Sequence, residues 1–483
     1  MLETLIHLGD ISSTHCYRIG PYIIFIQENE YGSGFKYLPR IDSTYIEYLP
    51  LMRKICSKYP NEDTIAEYIE ELTFSNLMRI LKNQIRNELL NYRNIVSNID
   101  ELTELLFWEI IGLSRLAPFL QDDNLEEIFI DGLSRPIYVN HRIFGKCDSD
   151  ILLTKQEIDA LMIHVELHKG TSIKLDKGNL ETEIAAENLH VRINIDLEPL
   201  ATGGPYVTIR NLRKNPFILP TLIKVGTLSL EAAKFLLLAA WSRLNITIAG
   251  EVDTGKTTLL NAIDLSLPPH MRKIYIEDAL ESIDLRVRGR YQAFYRAEAY
   301  SEELSRRRQV TFSLHRTPDY LILGEILTDE DVETFFYSLS CGLKGLQTIH
   351  ARSIDSLIRR WIIHHRIPID AIKDLDVIVF MRKNYLYQRR VEGIYELEVE
   401  SSDIKVKPVF ERVNGELRQL RDIRNTNVYK KAVKYFEDRE IVDELLKMFE
   451  ELLKIDNFDL FERELYKIER VIFQVKNKAI LND

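Results

Sequence analysis

Asn245-Ile-Thr-Ile-Ala-Gly250-Glu-Val-Asp253-Thr254-Gly255-Lys256-Thr257-Thr258-Leu-Leu reads as a short apolar strand, a glycine loop and the start of a helix. The loop fits G-x-x-x-x-G-K-[ST], the phosphate-binding pattern. Gly250 and Gly255 let the backbone curl so that successive N–H groups point inward at phosphate oxygens. The helix that starts near Lys256 adds the positive end of its dipole at the same place. Lys256 is expected to reach the β- and γ-phosphates, and the Thr257 hydroxyl to hold Mg²⁺. Asp253, Thr254 and Thr258 complete the expected nucleotide contacts, and ATP with Mg²⁺ is the expected ligand pair.

Working outward, three later stretches end in acids or an imidazole. Ile276-Glu277-Asp278-Ala-Leu-Glu281 places three carboxylates at a strand end. Such ends face the nucleotide in an open parallel sheet. Leu321-Ile-Leu-Gly324-Glu325 is an apolar run closed by an acid, which suits a group near Mg²⁺ or the attacking water. Thr348-Ile-His350-Ala351 ends a third strand. Glu325 and Glu277 are the two candidates for general base, Thr257 and Glu325 the candidates to hold the metal, and Asp278, Glu281 and His350 the expected surrounding contacts.

The alternation of strands and helices from Thr227 onward predicts a parallel α/β core. Upstream, Leu125–Asp131, Pro136–His141, His190–Ile195 and Tyr206–Arg210 read as strands, with a helix over Lys155–His168. The expected organisation is a mixed, helical extension over 1–110, an α+β domain over 111–212, a linker over 213–226 containing Pro216 and Pro220, and an ATPase domain with C-terminal strands and helices over 227–483. The net charge of −11 argues against a polyanion as main partner. Cys16, Cys56, Cys147 and Cys341 form no C-x-x-C pair, so no zinc site or disulfide framework is expected. Met1–Asp10 has no basic signal-like region, and the most apolar run, Ala232–Trp241, is half a membrane span and carries Lys234. A cytoplasmic protein is expected.

In order and spacing, four boxes resemble the secretion ATPase superfamily: type II and type IV secretion ATPases, type IV pilus motors, and archaeal pilus and archaellum ATPases. They are the phosphate loop, an Asp box (Glu277, Asp278, Glu281), a Walker B of the form P-D-x-x-x-x-G-E (Pro318, Asp319, Gly324, Glu325), and a His box (Gly342, Thr348, His350, Ala351). Tyr206–Arg210 and Arg389-Arg390-Val-Glu-Gly-Ile-Tyr-Glu resemble further family segments.

The resemblance implies a RecA-like P-loop NTPase domain at the C-terminal side and a separate N-terminal domain. It further implies a homo-hexameric ring, and ATP hydrolysis that drives a polytopic membrane platform protein of a pilus or secretion system. Attachment at the inner face of the membrane would then be peripheral, through that partner, with no direct nucleic-acid binding. By motif position, Arg192 and Arg210 would contact phosphates. The extended N-terminal region looks more like an archaeal pilus-assembly ATPase than a bacterial retraction motor. A nucleic-acid translocase, or an ATP-binding assembly switch with little hydrolysis, are the alternatives. The chain departs from the pattern at Thr317 and Leu327, where arginines are usual, and at Leu343, where the first His of the His box is usual.

Overall fold

The computed structural model describes residues 15–29, 34–61, 73–169, 178–187, 189–212, 217–278, 281–297, 305–384, 388–400 and 403–482. Met1–Asp10 and Pro216 lie outside the described residues. The chain divides into two compact units, 1–214 and 215–483.

The first unit is built on nine strands: β1 (His15–Ile19), β2 (Tyr22–Glu28), β3 (Phe35–Ile41), β4 (Leu125–Asp131), β5 (Tyr138–His141), β6 (Gly145–Asp148), β7 (Asn179–Ala186), β8 (Leu189–Asp196) and β9 (Tyr206–Asn211). They form one sheet in the order β1-β2-β3-β6-β5-β4-β9-β8-β7, antiparallel throughout except for the β3–β6 pair. Val191, Ile193 and Ile195 of β8 are buried and alternate with half-exposed polar residues, the period-two pattern of a sheet covered on one face. The helices Phe74–Leu90, Ile99–Ile110 and Lys155–Lys169 share that core.

The described parts of residues 1–110 and 111–212, which the sequence separates, therefore share one sheet and one core. A buried acid helps to join them: Tyr17 on β1 and Tyr37 on β3 both donate to Asp122 Oδ2, at 2.6 and 3.0 Å. A buried carboxylate is retained where hydrogen bonds replace its water.

The second unit carries β10 (Ile246–Gly250), β11 (Lys273–Glu277), β12 (Gln292–Arg296), β13 (Tyr320–Ile326), β14 (Gly345–His350), β15 (Val377–Lys383), β16 (Arg389–Glu400), β17 (Asp403–Val413) and β18 (Glu416–Gln419). The order is β12-β11-β13-β14-β10-β15-β16-β17-β18. β12 through β15 in that order are parallel, and β16, β17 and β18 add an antiparallel meander. Every residue of β10 and β11 is buried, as expected of parallel strands covered on both faces. One face packs on the helices Leu230–Trp241, Lys256–Leu265 and Arg439–Leu452, the other on Asp329–Ser340 and Trp361.

The helix Leu219–Lys224 lies inside the expected linker. Its Pro220 stands in the first turn, where a missing N–H costs nothing, and Leu219, Pro220 and Leu222 are buried in this unit. The apolar run at Ala232–Trp241 is a buried helix, as read. Among the described residues no helix is long and apolar enough to cross a membrane.

Candidate functional site

Because β10, β11, β13 and β14 run parallel, their carboxyl ends lie along one edge of the sheet. Gly250 is the register partner of His350, and Ile276 of Leu323. The phosphate loop, the Asp box, Glu325 and His350 are thereby brought to the same edge.

The loop geometry explains its glycines. A Cβ at Gly250 would stand 2.6 Å from the Met381 carbonyl oxygen and 2.7 Å from Thr254 Oγ1. Gly255, at φ +87°, begins the helix Lys256–Leu265, a conformation only glycine adopts without strain. Asp253 also sits in the left-handed region, at φ +61°. Its carboxylate is held by Lys383 Nζ at 2.5 Å and by the Arg389 guanidinium, while Arg389 Nε donates to its carbonyl at 3.1 Å. Thr254 Oγ1 donates to the Glu251 carbonyl at 2.9 Å. Thr257 and Thr258, in the first turn of the helix, are half-buried.

Lys256 is buried, and its Nζ donates to the Glu251 carbonyl at 2.9 Å and meets His350 Nδ1 at 3.3 Å. Burial pushes its pKa below the usual lysine value, against the opposing charges of Glu325, Asp253 and Glu281. The other ring nitrogen of His350, Nε2, pairs with Glu325. A continuous contact thus runs from the phosphate-loop lysine through the His box to the Walker B acid.

Glu325 reaches that position through a bulge. Leu323 pairs with Gln347 but Ile326 with Ile349, so β13 carries one extra residue at Gly324-Glu325. Thr348 Oγ1 fills the break by donating to the Gly324 carbonyl at 2.6 Å. Burial raises the Glu325 pKa, but the His350 hydrogen bond and charge, with Lys256 and Arg306, outweigh it and hold the carboxyl below its ordinary value.

Glu277 behaves oppositely. It is 2% exposed, and burial pushes its pKa up to about 7, despite hydrogen bonds from Ser282 Oγ at 2.8 Å and Ser282 N at 3.4 Å. Two carboxyls at one edge therefore hold their protons differently. Asp278 pairs with Arg306 Nη2 at 2.8 Å, and the Glu281 carbonyl accepts from Asn261 Nδ2 at 2.8 Å, tying the Asp box to the phosphate-loop helix.

The remaining expectations fall elsewhere. Arg192 and Arg210 lie in the first unit, as direct register partners on β8 and β9, with Arg192 Nε 3.8 Å from Glu181. Asp319 of the Walker B pattern sits at the opposite end of β13 from Glu325. It pairs there with Arg243 and accepts from the Arg272 N–H at 2.8 Å. At the departures, Thr317 has φ +47°, the neighbouring Arg316 guanidinium lies 3.6 Å from the Tyr295 ring centroid, and Leu327 is exposed. The sequence reading missed Ser282, Lys383 and Arg306. Ser282 directly follows the Asp box. Arg389 stood in a recognised segment without a role, and the Arg306–Arg308 run carried no signal.

A family model for type II/IV secretion system proteins matches residues 124–363. Protein MJ1287 of Methanocaldococcus jannaschii is 34% identical over 205 residues, 40% of this chain and 74% of that protein. The chain belongs to the type II/IV secretion ATPase superfamily. Protein MJ0900 of the same organism is 25% identical over 460 residues, 86% of this chain and 80% of that protein. Among solved structures, the Legionella pneumophila ATPase DotB covers 77% of this chain and 96% of its own, at 14% identity and a TM-score of 0.42. In this chain the phosphate loop, the Asp box, Glu325 and His350 are the parts gathered at the sheet edge described above.

Proposed function

We propose that this secretion ATPase is a cytoplasmic, ATP-hydrolysing motor. It works as a homo-hexamer that powers assembly of a type IV pilus-like filament, or protein secretion, through a polytopic membrane platform protein. The supporting observation is the convergence of a phosphate cradle, a buried lysine and two differently protonated carboxyls at one sheet edge.

The loop fits ATP phosphates: Gly250 lies too close to the Met381 carbonyl oxygen and Thr254 Oγ1 to carry a side chain, and the buried Lys256 Nζ lies against the Glu251 carbonyl of the same loop. A hydroxyl and a carboxylate suit Mg²⁺, which is bound through one or two protein groups plus substrate phosphates. Thr257 and Glu325 would hold it, and when bound it neutralises phosphate charge. Lys256 pairs with the β- and γ-phosphates. Glu277, with a pKa near the working pH, accepts the proton of the attacking water. Glu325, held ionised, serves the metal and orients that water. Arg192 and Arg210 are retained as phosphate contacts on the strength of the family resemblance. The pilus, platform and peripheral-membrane parts of the proposal rest on the same resemblance.

The test is phosphate release from ATP by the purified chain, with and without Mg²⁺, and sedimentation with and without ATP. Mg²⁺-dependent turnover and an ATP-linked shift to a six-subunit mass are expected. ATP binding without turnover would turn the reading toward an assembly switch.

A further inference from the structure

Arg306 opens the helix Arg306–Ser313, and its side chain is only 4% exposed. Its guanidinium is shared between two acids: Nη2 donates to Asp278 Oδ1 at 2.8 Å, and Nη1 pairs with Asp331 Oδ2 at 2.6 Å. Among the described residues its ion pairs are to these two. Asp278 directly follows Glu277 at the end of β11. Asp331 lies in the first turn of the helix Asp329–Ser340, and its Oδ2 also accepts from the N–H groups of Leu327 and Thr328, at 3.1 and 3.0 Å. Those two residues lead straight out of the Glu325 bulge. One buried guanidinium therefore ties together the two strand ends that carry the acids of the site.

The two ends also lie close together: a Cβ at Gly324 would stand 3.0 Å from Glu277 Cγ, which leaves no free space for a side chain there. A rigid fork that grips two carboxylates at once fixes their separation, which a lysine, a single flexible point charge, does not do. Without the fork, Asp278 and Asp331 would face each other as two partly buried like charges.

We propose that Arg306 is a positioning residue of this site, setting the Glu325 strand end against the Glu277–Asp278 strand end so that phosphoryl transfer, but not nucleotide binding, depends on it. This rests on the reading of the edge as an ATP-hydrolysing site. Neither its sequence position nor its contacts place Arg306 in the phosphate loop, so its effect belongs in turnover.

The test uses the full chain with two substitutions that open the same bridge from opposite sides, Arg306→Lys and Asp331→Asn. ATP affinity is measured by equilibrium titration, turnover by phosphate release, and folding by thermal melting. Both variants should keep ATP affinity within about threefold and lose roughly 10- to 100-fold in kcat, the scale of a misplaced reacting geometry. A merely structural role would lower melting, affinity and kcat together, overturning the proposal. Unchanged kcat in both variants beside an active wild type overturns this role alone. A wild type that binds ATP without turnover overturns the hydrolysis reading and this role with it. If Arg306→Lys does not fold, affinity and kcat of Asp331→Asn decide.

Discussion

Glu277 is the residue whose state departs furthest from its sequence expectation. Its carboxyl is pushed from an ordinary value near 4.5 to about 7 by burial. Between those values the unfolded chain gives up the proton while the folded chain keeps it. Folding stability is therefore lost as pH rises through that window and is constant above it. The full gap corresponds to on the order of 3 kcal/mol. Glu277→Gln removes the titration, so its melting temperature should gain on wild type between pH 5 and pH 8; a pH-independent difference would contradict the assignment. At this scale the phosphate loop, the Asp box, Glu325 and His350 were legible because their chemistry requires fixed residue types at fixed spacing. The grip of Lys383 and Arg389 on Asp253 was not, because residues about 130 positions apart meet only after β15 and β16 assemble beside the loop. Ion pairs formed across the sheet leave no local period to read.

Among the elements, buried apolar strands bounded by turns were the easiest to read, and β10, β11, β13 and β14 fall where the sequence placed them. β7 and β12 were missed. β7 is rich in polar and charged residues, and β12 is an edge strand with no fully buried residue. The helix Leu219–Lys224 was hidden by Pro220, which breaks a helix interior but fits a first turn. The β13–β14 pairing controls where Glu325 stands, and it depends on a glycine with ordinary φ. A Cβ at Gly345 would lie 1.8 Å from the Leu321 carbonyl oxygen, a backbone atom that cannot swing aside. Gly345→Ala should cost more than about 3 kcal/mol, read as a large drop in melting temperature or loss of soluble protein. A melting curve that overlays wild type would show that this pairing yields more easily than its geometry indicates.

For the molecule as a whole, the alternation of strands and helices after Thr227 announced a parallel sheet, and the second unit has one. The joining of residues 15–41 to the sheet of β4–β9 was not legible. It depends on β3 pairing with β6 more than one hundred residues later, and on Tyr17 and Tyr37 meeting Asp122. The account of the molecule as a motor rests on one separation of roles. In that proposal Lys256 pairs with phosphate before any chemistry, whereas Glu325 acts on what surrounds the phosphate. Lys256→Ala should therefore lose ATP affinity and turnover together. Glu325→Gln, which keeps the shape and removes the charge, should bind ATP at least as well as wild type and release phosphate on the order of 100-fold more slowly, the scale of a misplaced attacking water. The most direct measurement is an equilibrium ATP titration beside a phosphate-release assay on wild type and both variants. Retained binding with lost turnover in Glu325→Gln is the predicted result, and wild-type turnover in that variant would contradict the account.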